Sequence, residues 1–238
     1  MTFIGRDATG KLLGSASQVF DDVLSIRANL GSDDDNVSIL AGVDADAVLN
    51  GQGGNDTLGY SGNGAATLDG GAGNDRLRGG PNNDVLRGRA DHDVLEGLEG
   101  NDLLEGGAGN DEFDGGLGAD TTKGGAGDDK ILWDARSGAD VITDDSVFAD
   151  NDELTILGLL NANGSNVDDS ITLSANAGII TVDTADDDLT VDETELISVL
   201  LAGGADTVTV QDLSGTDLDM LGIDLAGAHD IGPAVQLP

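Results

Sequence analysis

The chain of 238 residues has no cysteine, which excludes disulfides and thiolate metal sites and leaves the redox compartment open. Proline occurs three times, and the aromatics are one Trp, one Tyr and four Phe, too few for an ordinary thick core. Basic residues are scarce as well. Ten Lys and Arg stand against 46 Asp and Glu, a formal charge of −36. Nucleic acid needs a cationic surface to displace its counterions and would repel this chain, so no nucleic-acid partner is expected; an anionic membrane surface would repel it too. The longest apolar stretches, such as residues 196–202, fall far short of the roughly 20 residues of a spanning helix, so no membrane span is expected either. The first twenty residues hold Arg6 and Lys11 but no apolar run of the secretory kind. The expectation is a protein that stays inside, or one that leaves by a route reading no N-terminal signal. High charge with few aromatics is also the composition of a disordered chain. If this chain folds, something must offset its acidity, and composition alone favours a divalent cation.

What the chain has in quantity is glycine, 38 residues of it, and the glycines are periodic. From residue 70 the sequence reads GGAGNDRLR, GGPNNDVLR, GRADHDVLE, GLEGNDLLE, GGAGNDEFD, GGLGADTTK and GGAGDDKIL, each step nine residues long. The sixth positions are Asp75, Asp84, Asp93, Asp102, Asp111, Asp120 and Asp129. The eighth are Leu77, Leu86, Leu95, Leu104, Phe113, Thr122 and Ile131. GQGGNDTLG from residue 51 fits, with Asp56 and Leu58; SGNGAATLD from residue 61 fits but has Ala66 in the aspartate position, and the step there is ten. A laxer Asp-x-apolar-x-apolar pattern recurs at Asp22, Asp35, Asp152, Asp169 and Asp206, and such alternation reads as short strands with one buried face. No stretch makes a convincing helix. Residues 190–201 come nearest and read equally well as strand.

Each position has a physical task. Glycines at positions one, two and four permit positive φ and close backbone approach, so a run of them makes a tight turn whose carbonyls can share a centre. The aspartate adds the carboxylate that a carbonyl cage lacks, and the apolar eighth residue points inward from a short strand. Nine residues cannot bury that side chain alone. Two nonapeptides complete a coil of 18, and coils stack about 4.8 Å apart. Turn 70–75 should therefore stack on 88–93, 106–111 and 124–129, and turn 79–84 on 97–102 and 115–120. Aspartates stacked at that spacing repel unless a cation lies between them. An all-oxygen, carbonyl-rich site suits Ca2+; magnesium keeps its water and a stricter octahedron.

This pattern, GGxGxDxUx with U a large apolar residue, resembles the repeats-in-toxin (RTX, haemolysin-type) calcium-binding nonapeptide over roughly residues 51–132. The resemblance implies an all-β fold, a right-handed parallel β-roll with flanking β-rich segments. It implies calcium held by first-, third- and fifth-position carbonyls of one turn together with second- and fourth-position carbonyls and the sixth-position Asp of the turn a coil away. Carried onto this chain, the metal residues are Gly70, Gly71, Ala72, Gly73 and Asn74; Gly79 and Gly80; Gly88; Gly97 and Gly100; Gly106, Gly107, Ala108, Gly109 and Asn110; Gly115, Gly116 and Gly118; Gly125 and Gly127; with the aspartates named above, Asp56 included. The resemblance also implies type I secretion by a Gram-negative bacterium, which fits the missing N-terminal signal. Departures weaken particular sites. Ala66 lacks the carboxylate, Pro81 and Asn82 interrupt turn 79–84, and turn 88–93 keeps only its first glycine.

Other readings fare worse. Asp33-x-Asp35 and Asp44-x-Asp46 lack the later ligands of an EF-hand, the glycine period is nine rather than collagen's three, and no helix follows Gly71-x-Gly73 to make a dinucleotide loop. His92, with only His229 elsewhere, reads as an exposed turn residue rather than a zinc ligand or catalytic base. Arg76, Arg78, Arg87 and Arg89 read as offsets to local acidity, and Trp133 as a cap on the open end of the core. No H-E-x-x-H or G-x-S-x-G motif is present. The expectation is a non-enzymatic, calcium-dependent extracellular structural or binding module. Its alternatives are the calcium-folding accessory part of a secreted hydrolase, epimerase or toxin, and a calcium-triggered, self-assembling surface or matrix protein. Partners beyond calcium would be further copies of the chain or a cell surface or matrix. The expected divisions are a lead-in at 1–30, the β-roll at 31–145 with its regular core at 51–132, and a β-rich segment at 146–238 continuing the solenoid.

Overall fold

The computed structural model describes residues 2–6, 12–17, 25–134, 139–143, 153–157, 170–176, 179–183, 188–191, 196–202, 207–210 and 220–226. Asp22, Asp152, Asp169 and Asp206, which open four of the laxer segments, lie outside them, as do His229 and the C-terminal tail.

Strands β1 (Thr2–Arg6) and β2 (Leu12–Ser17) form an antiparallel pair of their own. From there the chain alternates between two sheets. One takes β3 (Ser25–Gly31), β5 (Asp46–Gly53), β7 (Ala66–Ala72), β9 (Val85–Ala90), β11 (Leu103–Ala108), β13 (Thr121–Ala126) and β15 (Asp140–Thr143). The other takes β4 (Asn36–Ile39), β6 (Thr57–Tyr60), β8 (Arg76–Arg78), β10 (Val94–Glu99), β12 (Glu112–Leu117), β14 (Lys130–Asp134) and β16 (Glu153–Leu157). Every pairing among these fourteen strands is parallel and joins a strand to the one a coil away. The result is a β-solenoid, without a helix among the described residues. Arg76 pairs with Val94 and Val94 with Glu112, each 18 residues on, as the nonapeptide dictates. Outside the repeat the step lengthens: Ser25 pairs with Asp46 and Thr121 with Val141.

Later strands keep the stack but vary it. β20 (Leu196–Ala202) and β22 (Met220–Ala226) extend the second sheet in parallel. In the first, β19 (Asp188–Val191) pairs in parallel with β15, while β17 (Ser170–Asn176) and β18 (Ile179–Asp183) insert as an antiparallel hairpin, and β21 (Thr207–Val210) lies on β17. The apolar stretch at 196–202 is thus strand, not helix.

The eighth-position residues make the core. Leu58, Leu77, Leu95, Phe113, Ile131, Leu154, Ile197 and Leu221 stack in register along one sheet. Leu49, Leu68, Leu86, Leu104, Thr122 and Ile142 stack along the other. All are buried. Two such side chains per 18 ordered residues is a thin core, which explains how the chain manages with so few aromatics. Outward-facing positions carry charge. Asp69, Arg87, Glu105 and Lys123 are successive members of one column. Arg87 and Lys123 pair with Glu105 at 2.7 and 3.2 Å, Arg89 pairs with Asp69 at 2.6 Å, and Arg76 and Arg78 pair with Glu96. The arginines offset acidity on the strand faces, as their placement in the sequence suggests.

Trp133 does not cap an open end. It is buried, its backbone pairs with Ile156, and β16, β20 and β22 lie beyond it. The laxer apolar pattern past residue 150 continues the stack, so the core has no end at Trp133.

Candidate metal centre

The turns stack as the 18-residue coil requires, and a hydrogen-bond ladder of aspartates ties them. On one edge the backbone N–H groups of Asp35, Asp56, Asp75, Asp93 and Asp111 donate to Oδ1 of Asp56, Asp75, Asp93, Asp111 and Asp129, each a coil later, at 2.7–2.8 Å. On the other, Ala66, Asp84, Asp102 and Asp120 donate to Oδ1 of Asp84, Asp102, Asp120 and Asp140 at 2.6–2.7 Å. Stacked aspartates are therefore held by backbone donors as well as by whatever meets their second oxygens. Asp35 and Asp140 belong to these ladders but escape the nonapeptide register, because they stand 21 and 20 residues from their neighbours. Asp35 opens a segment in which apolar residues alternate, Val37 and Ile39, and that is the signal that finds it; Asp140 is followed by Val141 and Ile142 without alternation.

Asp35 is only partly buried, but Asp56, Asp75, Asp84, Asp93, Asp102, Asp111, Asp120 and Asp129 are buried, at 1–3% exposure. The Oδ2 atoms of Asp56, Asp75, Asp93, Asp102, Asp111 and Asp120 meet no hydrogen-bond donor. A buried ionised oxygen without a partner is expensive. Burial accordingly pushes these carboxyls up: Asp93 and Asp102 to about 7, Asp75 and Asp120 to about 6, from the ordinary 3.8, with the backbone N–H opposing the rise and neighbouring carboxylates adding to it. Asp56, Asp84 and Asp111 rise for the same first reason.

The glycines show what surrounds those oxygens. A Cβ on Gly70, Gly88, Gly97 or Gly106 would strike Oδ2 of the aspartate five residues on, and on Gly79 or Gly115 it would sit 2.7 or 2.6 Å from it. On Gly79 it would also lie 2.7 Å from the carbonyl oxygen of Gly97, and on Gly106 the same distance from that of Gly124. The first glycine thus leaves room where a carboxylate oxygen and a carbonyl oxygen of the next coil converge. Positions two and four face carbonyls below them. Gly71, Gly107, Gly116 and Gly125 lie over the carbonyls of Gln52, Arg89, Leu98 and Gly107, while Gly73, Gly100, Gly109, Gly118 and Gly127 lie over those of Gly54, Asn82, Asp91, Gly100 and Gly109. These carbonyls run up the stack as rows of oxygen. Third-position Ala72 accepts a bond from Gly54 N–H at 3.0 Å, and third-position Ala108 is exposed.

Where glycine is missing the backbone keeps its turn. Gln52, Arg89, Asp91 and Leu98 adopt φ of 77°, 92°, 73° and 87°, so turn 88–93 is preserved despite its lost glycines. Turn 79–84 differs. Asp84 Oδ2 accepts the N–H of Gly80 at 2.6 Å, and Asn82 Nδ2 binds the carbonyl of Asn63 at 3.0 Å; Gly80 is buried beside Tyr60.

The fifth positions form an outer ladder of opposite sense. Asn74 N–H donates to Asn55 Oδ1, His92 N–H to Asn74 Oδ1, and Asn110 N–H to His92 Nδ1 at 2.7 Å; Asp128 N–H then donates to Asn110 Oδ1. His92 is an exposed turn residue, as expected, and also a rung of this ladder. The fifth residue, expected as a source of carbonyls only, acts here through its side chain as well, and its recurrence as Asn is the sequence signal for that role. Among the described residues no three His, Asp or Glu side chains converge, so any cation here would depend mainly on backbone oxygens with one carboxylate per rung.

Fold and site together define a parallel β-solenoid whose oxygen-lined turns carry buried aspartates. The RTX calcium-binding nonapeptide repeat matches in overlapping segments at residues 60–95, 87–122 and 96–131, and RTX nonapeptide repeats bind Ca2+. Residues 60–131 of this chain are such repeats. No curated protein matches the chain. Among solved structures, the extracellular lipase LipA from Serratia marcescens is similar at 16% identity and a TM-score of 0.34, over 70% of this chain and 37% of the lipase. The chain thus spans little more than a third of that protein. Among the described residues no helix is long and apolar enough to cross a membrane.

Proposed function

We propose that this chain is a calcium-dependently folding, non-catalytic structural or binding module that works outside the cell after type I secretion. The row of buried aspartate Oδ2 atoms without donors, at Asp56, Asp75, Asp93, Asp102, Asp111 and Asp120, is the observation that carries the reading. A hard dication bound among oxygens supplies the positive charge these atoms lack. The chain's own part is to present them. The Oδ1 ladder fixes each carboxylate's orientation, the first glycine leaves the space, and the second- and fourth-position carbonyls run alongside. Gly70, Gly71, Ala72, Gly73 and Asn74 with Asp75, and the equivalent turns from residues 88, 97, 106, 115 and 124, are the proposed ligand segments; turn 79–84 is the weakest, since Gly80 N–H already serves Asp84.

Because the rungs exist only when coils stack, binding energy at them is folding energy. In calcium-poor cytosol the charge of −36 keeps the chain expanded and exportable; outside, millimolar calcium closes it. Circular dichroism in chelator and then in calcium tests this. The β signal should grow on calcium addition at pH 8. A chain equally β-structured in both would overturn the mechanism.

A further inference from the structure

One column of the second sheet reads Tyr60, Gly79, Gly97, Gly115, Trp133. Tyr60 lies two residues after Leu58, which pairs with Leu77, and the same offset carries through Leu95, Phe113 and Ile131. The first-position glycines of that edge are thus bracketed by the only tyrosine and the only tryptophan of the chain, both buried. At the far bracket Trp133 Nε1–H donates to Asp140 Oδ2 at 2.5 Å in a buried bond. Asp140 is also a ladder rung, its Oδ1 accepting the N–H of Asp120 at 2.7 Å. One rung below, Asp120 Oδ2 meets no donor, nor does Asp102 Oδ2 below that. At the near end Asp84 Oδ2 takes Gly80 N–H. Both ends of this edge are satisfied by protein N–H groups, and the two interior rungs are not. A small void lined by Gly115, Asp120, Trp133, Asp140 and Ile142 lies between the last two rungs.

We propose that Trp133 ends the cation row on this edge, its indole N–H standing where a calcium ion serves the interior rungs, so that Asp140 belongs to the ladder but ligates no ion. This rests on the calcium reading above. An indole donor is neutral and fixed, so the rung it closes is satisfied with or without calcium. The residues beyond it stack by strand pairing and apolar packing, through Ile156 and Val199.

Calorimetric titration of the full chain with calcium, together with the single indole N–H resonance, tests it. Asp102→Asn should lower the number of ions bound by one, which fixes the scale. Asp140→Asn should leave that number unchanged and move the indole resonance upfield. Trp133→Phe, which removes the indole donor from Asp140 Oδ2, should add one ion, and Trp133→Phe with Asp140→Asn should return to the wild-type count. Loss of an ion in Asp140→Asn, no gain in Trp133→Phe, or a wild-type indole signal that calcium moves to its Asp140→Asn position would each overturn the proposal while leaving the calcium reading intact. No binding by the wild type would overturn both.

Discussion

Replacing Asp93 by asparagine should help the calcium-free chain fold at pH 8 while removing part of its calcium response. Asparagine keeps the Oδ1 that accepts Asp75 N–H and replaces a buried oxygen that has no donor. The sign follows from the raised pKa. Burial pushes the Asp93 carboxyl up to about 7 in the fold from the ordinary 3.8, so between those values the folded state holds more protons. Cation-free stability is therefore complete below about pH 4 and falls as pH rises to about 7. Roughly three pK units correspond to about 4 kcal/mol at pH 8, a large share of the 5–15 kcal/mol that a domain commands. Asp75, Asp102 and Asp120 add to the same trend. Circular dichroism from pH 4 to 9 in chelator should show β structure at acid pH that is lost by pH 8, with calcium restoring it. Asp93→Asn should shift the loss to higher pH, whereas Glu99→Gln, an exposed charge change, should not. If both variants shift the curve equally, general charge repulsion rather than the buried rung controls folding. If the wild-type chain keeps its β signal to pH 9 in chelator, the reasoning fails.

Three further outcomes are expected. Gly70→Ala places a methyl against Asp75 Oδ2 and should cost at least 1–3 kcal/mol, read as a higher calcium midpoint for folding, while Ala72→Gly at an exposed site should shift it little. Leu98→Gly relieves φ of 87° and should stabilise the calcium-loaded form by about 1 kcal/mol, seen as a thermal midpoint a few degrees higher; a lower midpoint would mean that Leu98 packing outweighs the strain. Leu95→Ala cuts a fully buried rung between Leu77 and Phe113 and should cost 2–5 kcal/mol in saturating calcium, where a metal-site variant should lose less.

The period of nine made the coil, the edge on which each turn lies and the inward residue legible, because a strict repeat leaves one stacking register. Asp75 does meet Asp93, and Asp84 meets Asp102, through single hydrogen bonds. Where the step changes to 19, 20 or 21, the sequence holds the same chemistry without the count: Asp35 shows only as the start of a strand pattern, and Asp140 escapes altogether. Trp133 reads as an end because the repeat ends there; that β16 stacks over it depends on pairing across a longer connection, which local pattern does not encode. The antiparallel β17–β18 hairpin is hidden for the same reason, since alternation gives strand but not direction. The outer ladder shows in the sequence as recurrent Asn, a pattern that points to the fifth-position carbonyl but not to the side-chain bonds.

The two ladders point in opposite directions, and that opposition bears on what a cation has left to do. In the inner ladder the earlier coil donates to the later aspartate; in the outer one the later coil donates to the earlier asparagine or histidine. Each stacked pair of turns is therefore bound from both sides by neutral donors, whether or not metal is present, and the register of the stack does not depend on calcium. What remains unmet is charge on Oδ2 of Asp56, Asp75, Asp93, Asp102, Asp111 and Asp120, whereas Asp84 and Asp140 take protein donors. On the calcium reading proposed above, the ion decides whether the stack forms, and the hydrogen bonds decide which turn meets which. On that reading, a chain built this way folds into one register when the ion arrives, and its acidity is the part of the sequence that makes it wait.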